Sequence, residues 1–317
     1  VTTLTQGGRG ARPGAAVARA RGRGRSRSRY ADILIKTWRK PSGRAAIIGL
    51  AALFVIAVFA PAIAPVPPTQ QDLQAANEAP GWLGGAGGFL GTDGLGRDVF
   101  SRIVYGLRLS LLIGVCAATL GMLIGLMLGV LAGYFEKHLG PVLMRLADIQ
   151  FAIPFTAVGI ALTAVIGPGV LGLILILGIW GWTTYARTIV STVEQTKRLD
   201  FVVAARSFGA SPTRIMVRHL TPSVIPPVIV LWSTSAGILV LAESALSLLG
   251  LGVQPPDFSL GSMLADAQLD LRQAPWAAIA PGAALMAIVL CFNTLGDAMR
   301  DSFDSRATRV SYDPELS

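Results

Sequence analysis

Five stretches of this chain carry no formal charge. They lie between Arg44 and Asp72, Arg108 and Glu136, Asp148 and Arg187, Arg218 and Glu243, and Arg272 and Asp297. A helix of about 20 apolar residues crosses the ~30 Å of bilayer hydrocarbon, where every backbone polar group must be satisfied within the segment. Four of the stretches suit one such helix each. The Asp148–Arg187 stretch is too long for one and has Gly167-Pro168-Gly169 near its middle, a turn signal, so it holds two. The expected fold is all-α: a polytopic membrane protein with six transmembrane helices near 45–65, 107–133, 142–166, 170–191, 223–250 and 276–296. Charged residues make up 14% of the chain, against about a quarter in a soluble domain. Together with two cysteines, that excludes a disulfide scaffold, disorder throughout, and most soluble enzymes.

Within the second span Gly121, Gly125, Gly129 and Gly133 recur every four residues on one helix face. A small-residue stripe of this kind admits a neighbouring backbone closely. Cys116 and Cys291 lie in apolar runs with no metal-ligand spacing around them, so no metal site is expected. With the amino terminus inside, the inner segments hold 23 of the 27 Lys and Arg, and only Arg97, Arg102, Arg108 and Arg272 fall outside. The positive-inside bias therefore places both termini in the cytoplasm. Ala62-Ile63-Ala64 resembles a signal-peptide cleavage site. Yet the basic region before it is too long, and Pro65 is a poor first residue for a cleaved product, so the first span is retained.

Residues 1–30, rich in Arg, Gly and Ser, read as a disordered basic tail. Such a run can bind RNA or rest on anionic headgroups. Its position directly before a membrane span favours membrane lipids over nucleic acid. Residues 31–44 read as an interfacial segment, 45–300 as the transmembrane domain and 301–317 as a cytoplasmic tail.

The inner segment 199–219 has the most local structure. Asp200 suits a helix N-cap, alanines sit at the centre of Phe201–Phe208, and Gly209 suits the left-handed residue that ends a helix. Ser211-Pro212 starts a second short helix. Two helices joined at a glycine elbow are expected, the first about 12 Å long. Arg206, Arg214 and Arg218 flank it. Either the segment caps the bundle from below, or its small face receives a partner.

Ala204-Ala205, Gly209 and then Pro222 resemble the EAA loop of ABC importer permeases, with Val203 at the position of that family's glutamate and Thr221 where leucine is usual. The resemblance covers nearly all of the chain beyond residue 40. Leu90 to Arg102 and Gly106 to Leu111, Glu243 to Gly252 with Pro255-Pro256, Ala280-Pro281-Gly282, and Phe292 to Asp297 with Arg300-Asp301 are similar to hallmark blocks of one branch. That branch is the C-type permease subunits of dipeptide/oligopeptide (and nickel) importers; Leu260 stands where it usually has tryptophan. The resemblance implies a type I importer permease fold and a loop that docks on a separate ATPase through Asp200, Ala204, Ala205, Arg206, Gly209, Ala210, Ser211, Arg214 and Pro222. It also implies a second homologous permease, two ATP-binding subunits that use ATP and Mg, an extracytoplasmic substrate-binding protein, and a place in the bacterial inner membrane. Transport follows by alternating access.

Arg97, Arg102 and Arg108 break the positive-inside trend and require partners, for which Asp93 and Asp98 are nearest; Asp98 is also placed to cap the second span. The run is either a self-satisfied outer turn or a docking surface for the binding protein, built from Asp93, Arg97, Asp98 and Arg102. Glu243 lies deep in the fifth span, where an unpaired ionisable group costs at least ~2.5 kcal/mol. It is either an interhelix polar contact or part of the path. Asn293 and Asp297 also require partners. The chain has no G-x-x-x-x-G-K-[ST] phosphate loop, and its two histidines, His138 and His219, lie at the inner boundary. It is therefore expected to bind no cofactor and catalyse no reaction itself. The competing transport reading is an ion-gradient-driven secondary transporter, which usually shows paired intramembrane carboxylates and broken helices in two matching halves.

Overall fold

The computed structural model describes residues 35–310. The basic tail 1–30, the start of the interfacial segment and residues 311–317 lie outside the described residues. Residues 35–39 are helical and Lys40 breaks the helix. Eleven α-helices follow among the described residues: α1 (Pro41–Val58), α2 (Ala60–Ile63), α3 (Val99–Tyr134), α4 (Leu139–Ala152), α5 (Phe155–Ile166), α6 (Val170–Thr196), α7 (Asp200–Ser207), α8 (Pro212–Ile215), α9 (Thr221–Leu248), α10 (Leu260–Ala267) and α11 (Trp276–Val310).

Five of these segments are long and apolar enough to cross a membrane: Pro41–Val58, Val99–Tyr134, Val170–Thr196, Pro212–Leu248 and Trp276–Phe303. The third expected span, 142–166, is not one continuous helix. It is the pair α4 and α5, bent by 95°. The cause is Pro154. It has no N–H to continue the ladder, and it forces Ile153 into an extended conformation at φ −99°, ψ 129°. The turn expected at Gly167-Pro168-Gly169 is present, with φ of 92° and 138° at its two glycines. The last helix runs past residue 300 to Val310 without a break, so the expected boundary at 300–301 is not a structural one.

The glycine stripe organises the centre. A Cβ on Gly121 would stand 3.0 Å from the Gly178 carbonyl oxygen. On Gly125 it would stand 2.6 Å from Tyr185 Cβ, on Gly129 2.8 Å from Ile189 Cβ, and on Gly133 2.8 Å from Val193 Cβ. All four glycines of α3 therefore press on α6, step for step, with backbones closer than any side chain permits. α9 completes this core. Leu111 and Ile113 of α3 pack with Ala236, Val240 and Leu246 of α9 and with Ile288 and Phe292 of α11.

One end of the bundle carries Lys40, Lys137, Lys197, Arg206 and Arg214; we call it the basic end. A second apolar cluster closes it, where Val202 and Ile215 pack against Val130, Ile189, Val193 and Val224. Lys40 also pairs with Asp301 at 3.1 Å, and the Thr37 hydroxyl donates to the Ser302 hydroxyl, which ties the chain entry to α11. The opposite, looped end holds 64–98 and 249–275. There the Trp276 indole N–H donates to the Thr92 carbonyl at 3.0 Å, joining the long loop to the start of α11.

Candidate functional site

At the basic end the chain leaves α6 and turns through α7, Gly209 and α8 into a π-helical turn, Met216–Leu220, that leads into α9. Leu199, not Asp200, occupies the N-cap. Asp200 is the first helical residue and makes no capping hydrogen bond; its charge still complements the helix dipole there. At the other end, the Gly209 N–H donates to the Arg206 carbonyl and the Ala210 N–H to the Ala205 carbonyl, the double closure of a Schellman cap. Gly209 sits at φ +80° with no atom near its missing Cβ. Ser211 Oγ accepts from the Arg214 N–H at 3.4 Å and caps α8, with Pro212 in its first turn.

Val202, Ile215 and Leu220 anchor this elbow in the bundle, while Phe208 is 90% exposed. Phe201, Ala204, Arg206, Ser211 and Arg214 are exposed and Ala205 and Ala210 half-buried. Pro222 is exposed in the first turn of α9. The segment thus roots an apolar side in the membrane domain and offers a second apolar and basic side outward. One root was not anticipated. Lys197 Nζ donates to the Gly133 carbonyl at 3.0 Å and pairs with Glu136 at 2.9 Å. The hydrogen bond from Lys197 holds the Glu136 carboxyl below its ordinary value of 4.5. The only cue in the sequence was the Glu136-Lys137 charge run closing the second span.

At the looped end, the 91–102 run folds back on itself. Asp98 caps α3 by accepting from the Ser101 N–H at 2.7 Å. It pairs with no arginine among the described residues. Both arginines go to Asp93 and to a residue the sequence reading did not single out, Asp266 of α10. Arg97 reaches Asp93 at 2.7 Å and Asp266 at 3.1 Å; Arg102 pairs with the same Asp93 oxygen and reaches Asp266 at 3.1 Å. The Arg102 guanidinium also stacks over Phe258 at 5.0 Å. A cleft of about 350 Å³ opens beside this network, lined by Asp93, Arg97, Arg102, Asp266 and Asp270. Arg108 is exposed and makes no ion pair among the described residues, contrary to the expectation of a partner.

Glu243 is fully buried. No cation among the described residues answers it. Ser247 Oγ donates to its Oε1 at 2.7 Å and Ser259 Oγ at 2.6 Å, with Ser244 Oγ at 3.5 Å from Oε2. Ser259 also caps α10 in a reciprocal box with Ser262, so the carboxyl fastens α10 to α9. Because the partners are neutral hydroxyls, a search for lysine or arginine could not find them. Asn293 Oδ1 is buried without a hydrogen bond among the described residues. Asp297, four residues on, is exposed and makes no ion pair among them.

The helices and these fastenings describe a multi-pass membrane component. A family model described as "Binding-protein-dependent transport system inner membrane component" matches residues 125–309, and one described as "N-terminal TM domain of oligopeptide transport permease C" matches residues 28–80. The chain is 37% identical over 283 residues to the di/tripeptide transport system permease protein DppC of Pseudomonas aeruginosa, covering 87% of this chain and 93% of the relative. It is 39% identical over 218 residues to the glutathione transport system permease protein GsiD of Pectobacterium atrosepticum, covering 69% and 72%. A solved inward-facing structure of the MetNI methionine ABC transporter is 19% identical, covers 62% of this chain and 95% of its own, and has a TM-score of 0.49. The chain belongs to the family of binding-protein-dependent transport system inner membrane components, as a C-type permease subunit of the dipeptide/oligopeptide ABC importer branch.

Proposed function

We propose that this permease carries short peptides inward as one half of a heterodimeric path, driven by ATP that two separate subunits hydrolyse with Mg. The peptide class rests on relatives whose names specify dipeptide, di/tripeptide and glutathione transport. The basic end faces the cytoplasm, as the positive-inside bias requires, and both termini lie there. An extracytoplasmic binding protein delivers the peptide at the looped end, where Asp93, Arg97, Asp98 and Arg102 border the docking face. Asp93 and Asp98 are committed to holding that face in shape.

The observation that carries the coupling role is the two-sided elbow at 199–219. Val202 and Ile215 are rooted in the bundle while Phe208 stands almost fully in solvent. A lone domain gains nothing from such a ring in water; a groove on an ATPase gives it a site. In the cycle, closure of the ATPase dimer pulls α7. The Lys197 tie and the α6–α3 glycine seam pass that pull to the spans, and hydrolysis reverses it.

The test is Gly209→Val in the reconstituted importer. A β-branched residue at φ +80° costs on the order of 1–2 kcal/mol or more, so the elbow opens. The expected result is ATP hydrolysis uncoupled from uptake, with membrane insertion intact. Unchanged uptake per ATP counts against the coupling role.

A further inference from the structure

α6 has two opposite faces that behave differently. One presses on the glycine seam of α3 through Gly178, Trp182, Ala186, Ile189 and Val193. Half a turn away, Thr184, Arg187, Thr188, Ser191 and Gln195 form a polar row at helical spacing. Thr184, Arg187, Ser191 and Gln195 in it are exposed. Among the described residues the row makes one ion pair, between Arg187 and Asp148 of α4. The Arg187 guanidinium also lies over the Phe151 ring at 4.6 Å. These side chains remain 46% and 56% exposed.

Depth makes this pair informative. The seam sets α6 against α3, with Ala186 and Ile189 at the level of Gly129. α3 is uncharged from Leu109 through Phe135, so Arg187 lies about 10 Å along the axis from Glu136, the first charge beyond that run. That uncharged run is about 40 Å long, about 10 Å more than the hydrocarbon, so Arg187 stands at its inner rim, where a half-exposed ion pair needs water or a polar partner. The pair also abuts the 95° break between α4 and α5, where non-helical backbone is tolerated only against protein or a water-filled cavity.

We infer that the polar row of α6 lines a water-filled inner half of the transport path, and that Arg187 and Asp148 form a binding site there for the charged ends of a zwitterionic solute. Arg187 offers a planar two-pronged donor to a carboxylate and Asp148 an acceptor to an ammonium group. At rest each occupies the other. A solute bearing both charges replaces the pair without leaving either ion unmatched. This rests on the peptide-import reading for its solute, though not for its water.

The experiment has two arms, both in the complete importer. In a background with Cys116→Ala and Cys291→Ala, Thr184→Cys and Ser191→Cys are exposed to a membrane-impermeant charged thiol reagent from the inner side, with buried Leu177→Cys as control. Rapid modification of both, with Leu177→Cys unmodified, is expected. Protection of both overturns the water-filled path, whatever the solute. In the second arm, Arg187→Gln and Asp148→Asn are assayed with a free-acid dipeptide and with its carboxyl-amidated counterpart. Arg187→Gln is expected to raise KM for the free acid about tenfold and to abolish the preference over the amide, whereas Asp148→Asn leaves that preference intact. Equal losses on both substrates, with full recovery in the exchanged double variant Arg187→Asp/Asp148→Arg, reduce the pair to a structural tie and overturn the site. If the unaltered importer moves a different zwitterion and no peptide, the peptide reading falls and both arms are run with that solute.

Discussion

Gly125 and Gly181 face the same helix seam, and the structure assigns them opposite outcomes on replacement by alanine. A Cβ on Gly125 meets Tyr185 Cβ at 2.6 Å and the Trp182 carbonyl oxygen at 2.7 Å, whereas on Gly181 the nearest atom is the Gly121 Cα at 4.0 Å. Ordinary contact begins near 3.4 Å. At Gly125 the helices must therefore part by up to about 0.8 Å, enough to forfeit much of the dispersion attraction of neighbouring pairs. Neither obstacle is the end of a flexible side chain. Overpacking of this kind costs about 1–3 kcal/mol, partly offset by the ~0.5–1 kcal/mol that alanine gains over glycine inside a helix. Gly125→Ala should lose about 1–2 kcal/mol, while Gly181→Ala should be neutral or slightly stabilising. The assay is thermal unfolding of the purified assembly followed by size-exclusion, with Gly129→Ala as a second seam variant. Equal melting temperatures for Gly125→Ala and Gly181→Ala would refute the close approach of α3 and α6.

At the looped end, Asp93→Ala leaves the buried Arg102 facing only half-exposed Asp266; breaking a buried pair costs about 3–5 kcal/mol, and loss of folded yield is expected. Asp98→Ala removes one helix cap and should cost only about 1 kcal/mol, so the ratio of the two folded yields checks the division of labour. Glu243→Gln keeps an acceptor for Ser247 and Ser259 and should accumulate normally, whereas Glu243→Leu strands both hydroxyls at roughly 1–3 kcal/mol each; a Gln variant that fails to fold sinks the hydrogen-bond account. The Glu136 carboxyl, titrating below 4.5 in the folded state, contributes a tie that is complete above that pH and lost as pH falls through the lowered folded value. Hydrogen-exchange protection at residues 197–203, taken relative to the intrinsic rate at each pH, should therefore weaken only as the carboxyl protonates at acid pH, and should already be weakened at neutral pH in Glu136→Gln.

Much of this was legible in order along the chain. The charge-free stretches located the five continuous spans and the bent pair because charge in hydrocarbon is expensive wherever it falls, a constraint that acts residue by residue. The same local logic placed the α7–Gly209–α8 elbow, since caps and left-handed glycines are written in neighbouring residues. It also marked the glycine stripe, where helical period alone aligns four residues. Local logic stopped at Pro154: the proline was visible, but the size of the bend depended on what α4 and α5 pack against.

Tertiary structure alone decided which side chains answer one another. Asp266 lies 164 residues from Arg102, Ser259 16 from Glu243, Lys197 64 from Gly133 and Arg187 39 from Asp148. Sequence sets what each residue requires, a partner for an ion or a hydroxyl for a buried carboxyl. Which residue supplies it depends on how distant helices are brought alongside; for Lys197 and Gly133 that alignment is the close approach of α3 and α6.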